Sequence, residues 1–204
     1  MGRNGTPYGR PGPPVFGPVP DPGHGRGRGR GSGYGRGPGR EHRTGSSLGR
    51  VYTTRVSRHV DAPPLAVYRT LLDPEAVARW RVPYGMTCRV HEFDAREGGA
   101  FRVSLRYEGE GGAGKSGPRT DTYHGRFVEL VPDERVVEIV EFETADPLLH
   151  GAMTLTTTLV PDGGGTEVLV VHEGVPDAIP AADNEAGTRM ALDRLAVLLE
   201  GRPE

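Results

Sequence analysis

A glycine-rich segment in the middle of the chain has the residue types and spacing of a phosphate-binding loop. Residues 109–116 read GEGGAGKS and satisfy the pattern G-x-x-x-x-G-K-[ST], in which backbone N–H groups and a lysine bind phosphates. That chemistry needs a strand before the loop and a helix after it, so that the helix N-terminus meets the phosphates. Here Gly117-Pro118 follows at once, and the next periodic segment alternates like a strand. We therefore interpret residues 109–116 as a glycine-rich hairpin loop.

The histidines and the cysteine lack the spacing of a metal site. None of the seven histidines forms an H-x-x-x-H pair, and Cys88 has only His91 nearby as a second ligand. The sequence therefore predicts neither a metal site nor a bound cofactor. His124 and His172 fall in strand-like segments, where a histidine facing a cavity could act as an acid or a base. The alternative for each is a hydrogen-bonded strand residue.

Carboxylates are dense on one strand-like segment, which carries Glu138, Glu141 and Glu143. A solvated sheet face explains such a run without catalysis. No pair of a nucleophile and a base stands out elsewhere, so the sequence leaves open whether the protein is an enzyme.

Glycine and positive charge are concentrated at the front of the chain. The first 50 residues hold sixteen of the 32 glycines and nine of the 25 Lys and Arg residues, but two of the 27 acids. Because so few apolar residues cannot offset the ordering entropy, residues 1–49 are expected to be a disordered Gly/Arg/Pro-rich tail, and residues 50–201 the one folded domain. The repeat RGRGRG at 26–31 resembles RNA-binding RGG segments; an inert extension, or a natural start near Val51, are the alternatives. We expect no nucleic-acid contact except through this tail.

The cysteine content and the hydropathy of the chain indicate the cellular compartment of the protein. The single cysteine, Cys88, cannot form an internal disulfide, which points to a reducing compartment. The N-terminus lacks the apolar run of a signal peptide, and no stretch approaches the roughly 18 apolar residues that span a bilayer. A cytoplasmic protein without a membrane span is the expectation.

The elements that must position these residues begin with a strand and two short helices. Residues 51–60 alternate in polarity and are rich in β-branched side chains, which is typical of a strand. Asp61 and the prolines after it supply a cap and a first turn for a short helix. Asp73-Pro74-Glu75 repeats this start signal for a second short helix, which reaches Trp80.

Six segments with a period of two residues follow, separated by short turn sequences such as Glu97-Gly98-Gly99. Such connections favour an antiparallel meander. In the second segment, apolar residues from Phe101 to Tyr107 share one face and Arg102, Ser104 and Arg106 the other, so one face is core. The six segments are 88–94, 100–107, 120–131, 135–143, 151–160 and 166–173.

A long helix is predicted at the C-terminal end. Asp183 or Asn184 can cap it, an apolar stripe follows, and Gly201 comes directly after its expected end at Glu200. At 1.5 Å per residue, about 17 residues extend roughly 26 Å, enough to lie across such a sheet. Gly187 inside this helix costs stability, which indicates a close approach to another backbone or to a ligand; the alternative is that the glycine is simply tolerated.

Short motifs occur along the chain in a recognisable order. They are Ala62-Pro63 with Val67-Tyr68; Asp73-Pro74-Glu75 with Trp80; Gly98-Gly99-Ala100-Phe101-Arg102; Tyr123-His124-Gly125 with Glu129, Pro132 and Arg135-Val136-Val137; Gly164-Gly165-Thr166 with His172; and Gly187 before Ala191-Leu192-Asp193-Arg194-Leu195. Together they resemble the SRPBCC or START-like superfamily, in the branch named after the activator of heat shock protein 90 ATPase homologue (C-terminal domain). The resemblance implies an α+β helix-grip, Bet v 1-like fold: a curved antiparallel sheet of about seven strands around a long C-terminal helix, with two short helices after strand 1.

The resemblance also implies a cavity between the sheet and the last helix. The family often has Gly-Trp in that helix where this chain has Gly187-Thr188, and the missing Trp is expected to enlarge or reshape the pocket floor. The candidate ligand-binding residues on the cavity wall are Trp80, Phe93, Phe101, Val103, Tyr123, Phe127, Met153, Leu155, His172, Gly187, Thr188 and Met190.

Three functions are compatible with this resemblance. The first is binding of a small hydrophobic or amphipathic molecule in the cavity. The second is a polyketide cyclase- or aromatase-like enzyme that uses the same cavity with His124, His172 or Tyr123. The third, by family analogy alone, is a co-chaperone-like protein that interacts with a heat-shock ATPase.

Overall fold

The computed structural model describes residues 50–109 and 114–201. The predicted tail, residues 1–49, lies outside the described residues, as does the centre of the glycine-rich loop. The described chain runs in the order β1 (Val51–Val60), α1 (Pro64–Leu71), α2 (Pro74–Trp80), β2 (Met86–Phe93), β3 (Ala100–Tyr107), β4 (Thr120–Val131), β5 (Arg135–Phe142), β6 (Met153–Asp162), β7 (Gly165–Pro176) and α3 (Ala181–Glu200). None of the helices in these residues is both long and apolar enough to cross a membrane.

The seven strands form one sheet in the order β1-β7-β6-β5-β4-β3-β2, and every neighbouring pair is antiparallel. The predicted meander of β2 to β7 is therefore confirmed. Strand β1 pairs with β7 and forms one edge of the sheet. Register shifts interrupt the β1–β7, β2–β3 and β4–β5 pairs. Such bulges increase local twist, as a sheet that curves around a helix requires. The helix-grip fold predicted from the sequence is confirmed.

Two predicted helix caps are wrong. Asp61 does not cap α1, whose N-cap is Pro63 without a side-chain bond; the Asp61 carboxylate instead lies 3.2 Å from His59. Asp183 and Asn184 lie inside the first turn of α3, which begins after Pro180. The Asn184 amide bonds to strand side chains and not to its own helix. By contrast, Asp73 caps α2 as predicted, with its carboxylate accepting from the Glu75 N–H at 3.0 Å.

Helix α3 packs against β1 and α2, and its buried residues Leu192, Leu195 and Ala196 join the main core. It ends as predicted at Gly201, whose φ of 63° is the left-handed conformation that glycine adopts without strain. The N-terminal half of α3 makes a different contribution. Asn184 bonds to the sheet, and other residues of this half, among them Gly187 and Thr188, border a cavity.

Candidate functional site

A cavity of about 260 Å³ lies between the N-terminal half of α3 and the inner face of the sheet. Small-molecule sites run from roughly 300 to 1,000 Å³, so this cavity suits a small ligand. Its wall is mostly apolar, with contributions from the last residues of α1 and α2, from the segment after α2, from β2 to β7 and from α3. Eight of the twelve residues predicted for the wall border it: Trp80, Tyr123, Met153, Leu155, His172, Gly187, Thr188 and Met190.

The other four predicted residues, Phe93, Phe101, Val103 and Phe127, are not among the residues that border the cavity in the described chain. The three phenylalanines pack on one another instead, with ring centroids 5.2 Å apart for Phe101–Phe127 and 5.3 Å for Phe93–Phe127. Alternation along a strand fixes which face a side chain occupies, but not whether space remains opposite it. These aromatic rings fill their end of the sheet, and the cavity begins beyond them.

A buried ion pair on the wall was missed by the sequence interpretation. Arg81, directly after α2, donates from both terminal nitrogens to the Glu138 carboxylate on β5, at 2.8 and 3.1 Å. The Glu138 side chain is 6% exposed. The guanidinium carbon also lies 5.8 Å from the ring centroid of Phe101 and 5.7 Å from that of Tyr123. Burial is the largest single effect and would lower the pKa of Arg81, but the charge and hydrogen bonds of Glu138, together with the nearby Tyr123 and Cys88, hold that pKa above its ordinary value.

The interpretation of the acidic segment as a solvated face holds for part of it only. Glu138 alternates in phase with Val136 and Val140, all three of which are buried. Glu143 lies on the other side and accepts from Arg102 at 2.7 and 2.8 Å. The same alternation in the sequence RVVEIVEF would have placed Glu138 inward, because it shares the apolar phase of β5.

His172 is held by a chain of hydrogen bonds that reaches from β1 to α3. The Thr54 hydroxyl donates to the Asn184 side-chain oxygen at 2.6 Å, and the Asn184 amide nitrogen lies 3.1 Å from His172 Nδ1. Burial lowers the pKa of His172 to about 4, with the Arg81 charge acting in the same direction. The imidazole is therefore neutral at physiological pH.

This shift predicts how stability depends on pH. Because the pKa of His172 falls from 6.5 unfolded to about 4 folded, the unfolded chain binds the proton first, and stability is lost as pH falls through this window. Between pH 6.5 and pH 4.5 the loss due to His172 is about 2 kcal/mol. Urea unfolding across this range should show that dependence in the wild type and a profile flatter by this amount in His172→Gln. Parallel profiles would contradict it.

The other two candidate acid–base groups are placed differently. His124 was predicted as a possible cavity residue, but it points to the outer face of the sheet, where its Nδ1 lies 3.6 Å from Glu143. Tyr123 does border the cavity. Burial raises the pKa of Tyr123 to about 12, against the smaller opposing effect of Arg81, so the phenol keeps its proton. Neither residue supplies a base to the cavity near neutral pH.

The described part of the glycine-rich loop contributes Lys115 to the cavity wall. The Lys115 ammonium lies 2.6 Å from the Asp121 carboxylate, and Ser116 bonds to Thr122 rather than presenting its hydroxyl to a phosphate. Strand β4 follows, as the hairpin interpretation requires. Residues 110–113, the rest of the phosphate-loop pattern, lie outside the described residues.

One group of side chains outside the cavity has the composition of a metal site. His59, Asp162 and Glu167 each place one ligand atom within 4.8 Å of the others. His59 already contacts Asp61 at 3.2 Å and Asp162 at 3.6 Å, and both carboxylates are largely exposed. Exposed groups of this kind are adequately explained as surface ion pairs.

The sequence suggested a close approach of Gly187 to another backbone, and the structure shows no such approach among the described residues. A Cβ built on Gly187 meets nothing within 4 Å, and the residue borders the cavity. We expect Gly187→Ala to raise the free energy of unfolding by about 0.5–1 kcal/mol, because alanine is the better helix former and no contact opposes it. Urea unfolding tests this, and a loss of stability would show that the position is sterically restricted.

Comparison with known proteins gives a family and a set of related structures. A family model described as "Activator of Hsp90 ATPase homolog 1-like protein" matches residues 61–200. A crystal structure of a Chromobacterium violaceum protein is 39% identical with a TM-score of 0.65, covering 74% of this chain and 98% of that one. A Rhodobacter sphaeroides protein is 22% identical with a TM-score of 0.61, covering 76% and 99% of the two chains. A search among curated proteins gave no match.

The matched region contains α1 and α2, strands β2 to β7 and all of α3, and so every element that contributes to the cavity wall. The Rhodobacter sphaeroides structure shows a shared fold only. The match to the Chromobacterium violaceum protein covers nearly all of that protein, at an identity that indicates common descent, and it adds to the family-model match. On both grounds the chain belongs to the family of activator of Hsp90 ATPase homolog 1-like proteins.

Proposed function

We propose that this protein binds a small, largely apolar molecule in the cavity between α3 and the sheet. The observation that carries the proposal is the cavity itself: about 260 Å³ of space with a mostly apolar wall between α3 and the sheet. Apolar side chains such as Met153, Leu155 and Met190 make up much of its wall. The apolar side chains around an empty cavity lack the packing contacts that a ligand would restore.

Binding accounts for the wall better than catalysis does. A cyclase-like reaction in the same cavity would need a proton acceptor, for which the sequence suggested His124, His172 or Tyr123. His124 points to the outer face of the sheet, beside Glu143. The His172 Nδ1 lone pair is occupied by Asn184, and the Tyr123 phenol stays protonated. A co-chaperone role rests on the family description alone, and a pull-down with the heat-shock ATPase tests it separately.

A thermal-shift screen of small neutral aromatic compounds tests the binding proposal. A ligand at 100 times its Kd stabilises the folded state by about 2.7 kcal/mol, which corresponds to a rise in Tm of about 5–10 °C for a domain of this size. The control is Thr188→Trp, which directs an indole into the cavity from α3 and should remove the ligand-induced rise. The proposal fails if no compound raises the Tm, or if the rise is equal in both proteins.

A further inference from the structure

We infer that the cavity selects a neutral ligand with a carbonyl-type oxygen, and that the Nε2–H of His172 donates to that oxygen. The inference rests on the proposed binding function and adds the chemistry of the ligand. It follows from the hydrogen-bond directions around His172, from the unpartnered donors of the wall and from the pairing of its charges.

The hydrogen-bond chain fixes the tautomer of His172. The Thr54 hydroxyl donates to Oδ1 of Asn184, so the other amide atom, which faces His172, is the NH₂ group. An amide NH₂ only donates, and therefore Nδ1 of His172 accepts. A neutral imidazole that accepts at one ring nitrogen carries its proton on the other, which here is Nε2.

The Nε2 proton has no partner in the described chain. His172 Nε2 is buried and makes no hydrogen bond, and the same holds for the indole Nε1 of Trp80, a second residue of the cavity wall. Buried polar groups in native proteins are nearly always paired. Both unpaired atoms are donors that lack an acceptor in the described chain. A ligand oxygen that accepts a hydrogen bond would supply what is missing.

The charges of the wall argue for a neutral ligand. Arg81 is bound by Glu138, and Lys115 by Asp121, so each of these cations already has a carboxylate. The remaining charged wall residue, Asp183, lies in the first turn of α3, where the helix N-terminus favours a negative charge. An anionic ligand would have to displace one of the paired carboxylates, and a buried unpaired charge is strongly disfavoured.

Two substitutions of His172 distinguish the roles of its two ring nitrogens. By bond count from Cβ, the amide atoms of asparagine lie where Nδ1 does, and those of glutamine where Nε2 does. His172→Asn can thus keep the acceptor for Asn184 but lacks the donor to the ligand, whereas His172→Gln can keep that donor. A third variant, Asn184→Asp, leaves His172 in place but presents only acceptors to Nδ1. Because the new carboxylate also raises the pKa of His172, this variant is titrated at about pH 9, where the neutral imidazole carries its proton on Nδ1 and Nε2 is left as an acceptor.

The probes are 9-fluorenone and fluorene, which differ in a carbonyl oxygen, and fluorene-9-carboxylate, titrated calorimetrically into the full chain. The wild type should bind fluorenone about tenfold more tightly than fluorene. His172→Gln should keep most of this preference, and His172→Asn and Asn184→Asp should each lose it; should one of these variants fail to fold, the other still decides. The carboxylate should bind at least tenfold more weakly than fluorenone.

The outcomes distinguish the inference from the function on which it rests. If the wild type binds fluorenone and fluorene equally, the acceptor requirement is wrong while binding in the cavity stands. A carboxylate that binds more tightly than fluorenone overturns the neutrality of the ligand. A preference for fluorenone that persists in both His172→Asn and Asn184→Asp removes His172 as its source. If neither neutral probe binds, the proposed function itself is contradicted.

Discussion

Replacing Arg81 by methionine is expected to lower the free energy of unfolding by about 3–5 kcal/mol, because Glu138 is then left buried without its cation. Both oxygens of that carboxylate now accept from the guanidinium, and the side chain has almost no contact with water. Most of this loss in the free energy of unfolding comes from the buried, unpaired Glu138 charge, and little of it from the net stabilisation that the ion pair itself provides. Urea unfolding monitored by circular dichroism near pH 7 measures it.

The double variant Arg81→Met/Glu138→Leu is the decisive control. Removing both charges leaves no stranded group, so most of the lost stability should return. Arg135→Met is a second control, because the Arg135–Glu129 pair has a similar two-bond geometry but lies in solvent, and little change is expected. If Arg81→Met behaves like Arg135→Met, water reaches Glu138 and the wall is not a desolvated surface.

Gly125→Ala is expected to lower the free energy of unfolding by about 3 kcal/mol, the upper end of ordinary overpacking. A Cβ at Gly125 on β4 would collide with the backbone oxygen of Ile139 on β5 and lie 2.6 Å from Cζ of Phe101. The backbone oxygen cannot move without breaking the β4–β5 pairing. The Phe101 ring cannot move without disturbing the aromatic packing beside the cavity.

The same substitution at Gly187 is the matched control for Gly125→Ala, since each adds one methyl group inside a regular element. The two changes should have opposite signs, with Gly187→Ala gaining stability and Gly125→Ala losing it. Denaturation curves for both proteins test this directly. A loss at Gly125 of less than 1 kcal/mol would mean that the strands adjust to the methyl group and that glycine is not sterically required there.

Local patterns in the sequence predict the architecture well. Strands β3 and β4 have the predicted bounds, because a two-residue alternation and the turn residues around it are properties of the chain itself. Strand β2 begins two residues earlier than expected, since Met86 pairs with Tyr107. Gly201 and Asp73 act at helix ends as their types suggest. The predicted N-cap of α3 was wrong because the side chain of Asn184, a good capping residue, instead bonds to Thr54 and His172.

The candidate site depends on contacts that no local pattern contains. Arg81 and Glu138 are 57 positions apart in the chain, and Thr54 and Asn184 are 130 apart. Their meeting is set by the strand order and by where α2 and α3 cross the sheet. Alternation could place Glu138 inward, but it could not name Arg81 as its partner. The phenylalanines were overpredicted as cavity residues for the same reason, since only the packing shows where the space begins.

The proposed binding site is tested most directly by locating a bound probe on the protein. Intermolecular NOEs between 9-fluorenone and the isotope-labelled protein report this position without any substitution. Binding in the cavity predicts NOEs to the methyl groups of Met153, Leu155 and Met190, which border the cavity from β6 and α3. NOEs confined to the outer face of the sheet, to residues such as Arg102 and Val128, would contradict the claim that this cavity is the binding site.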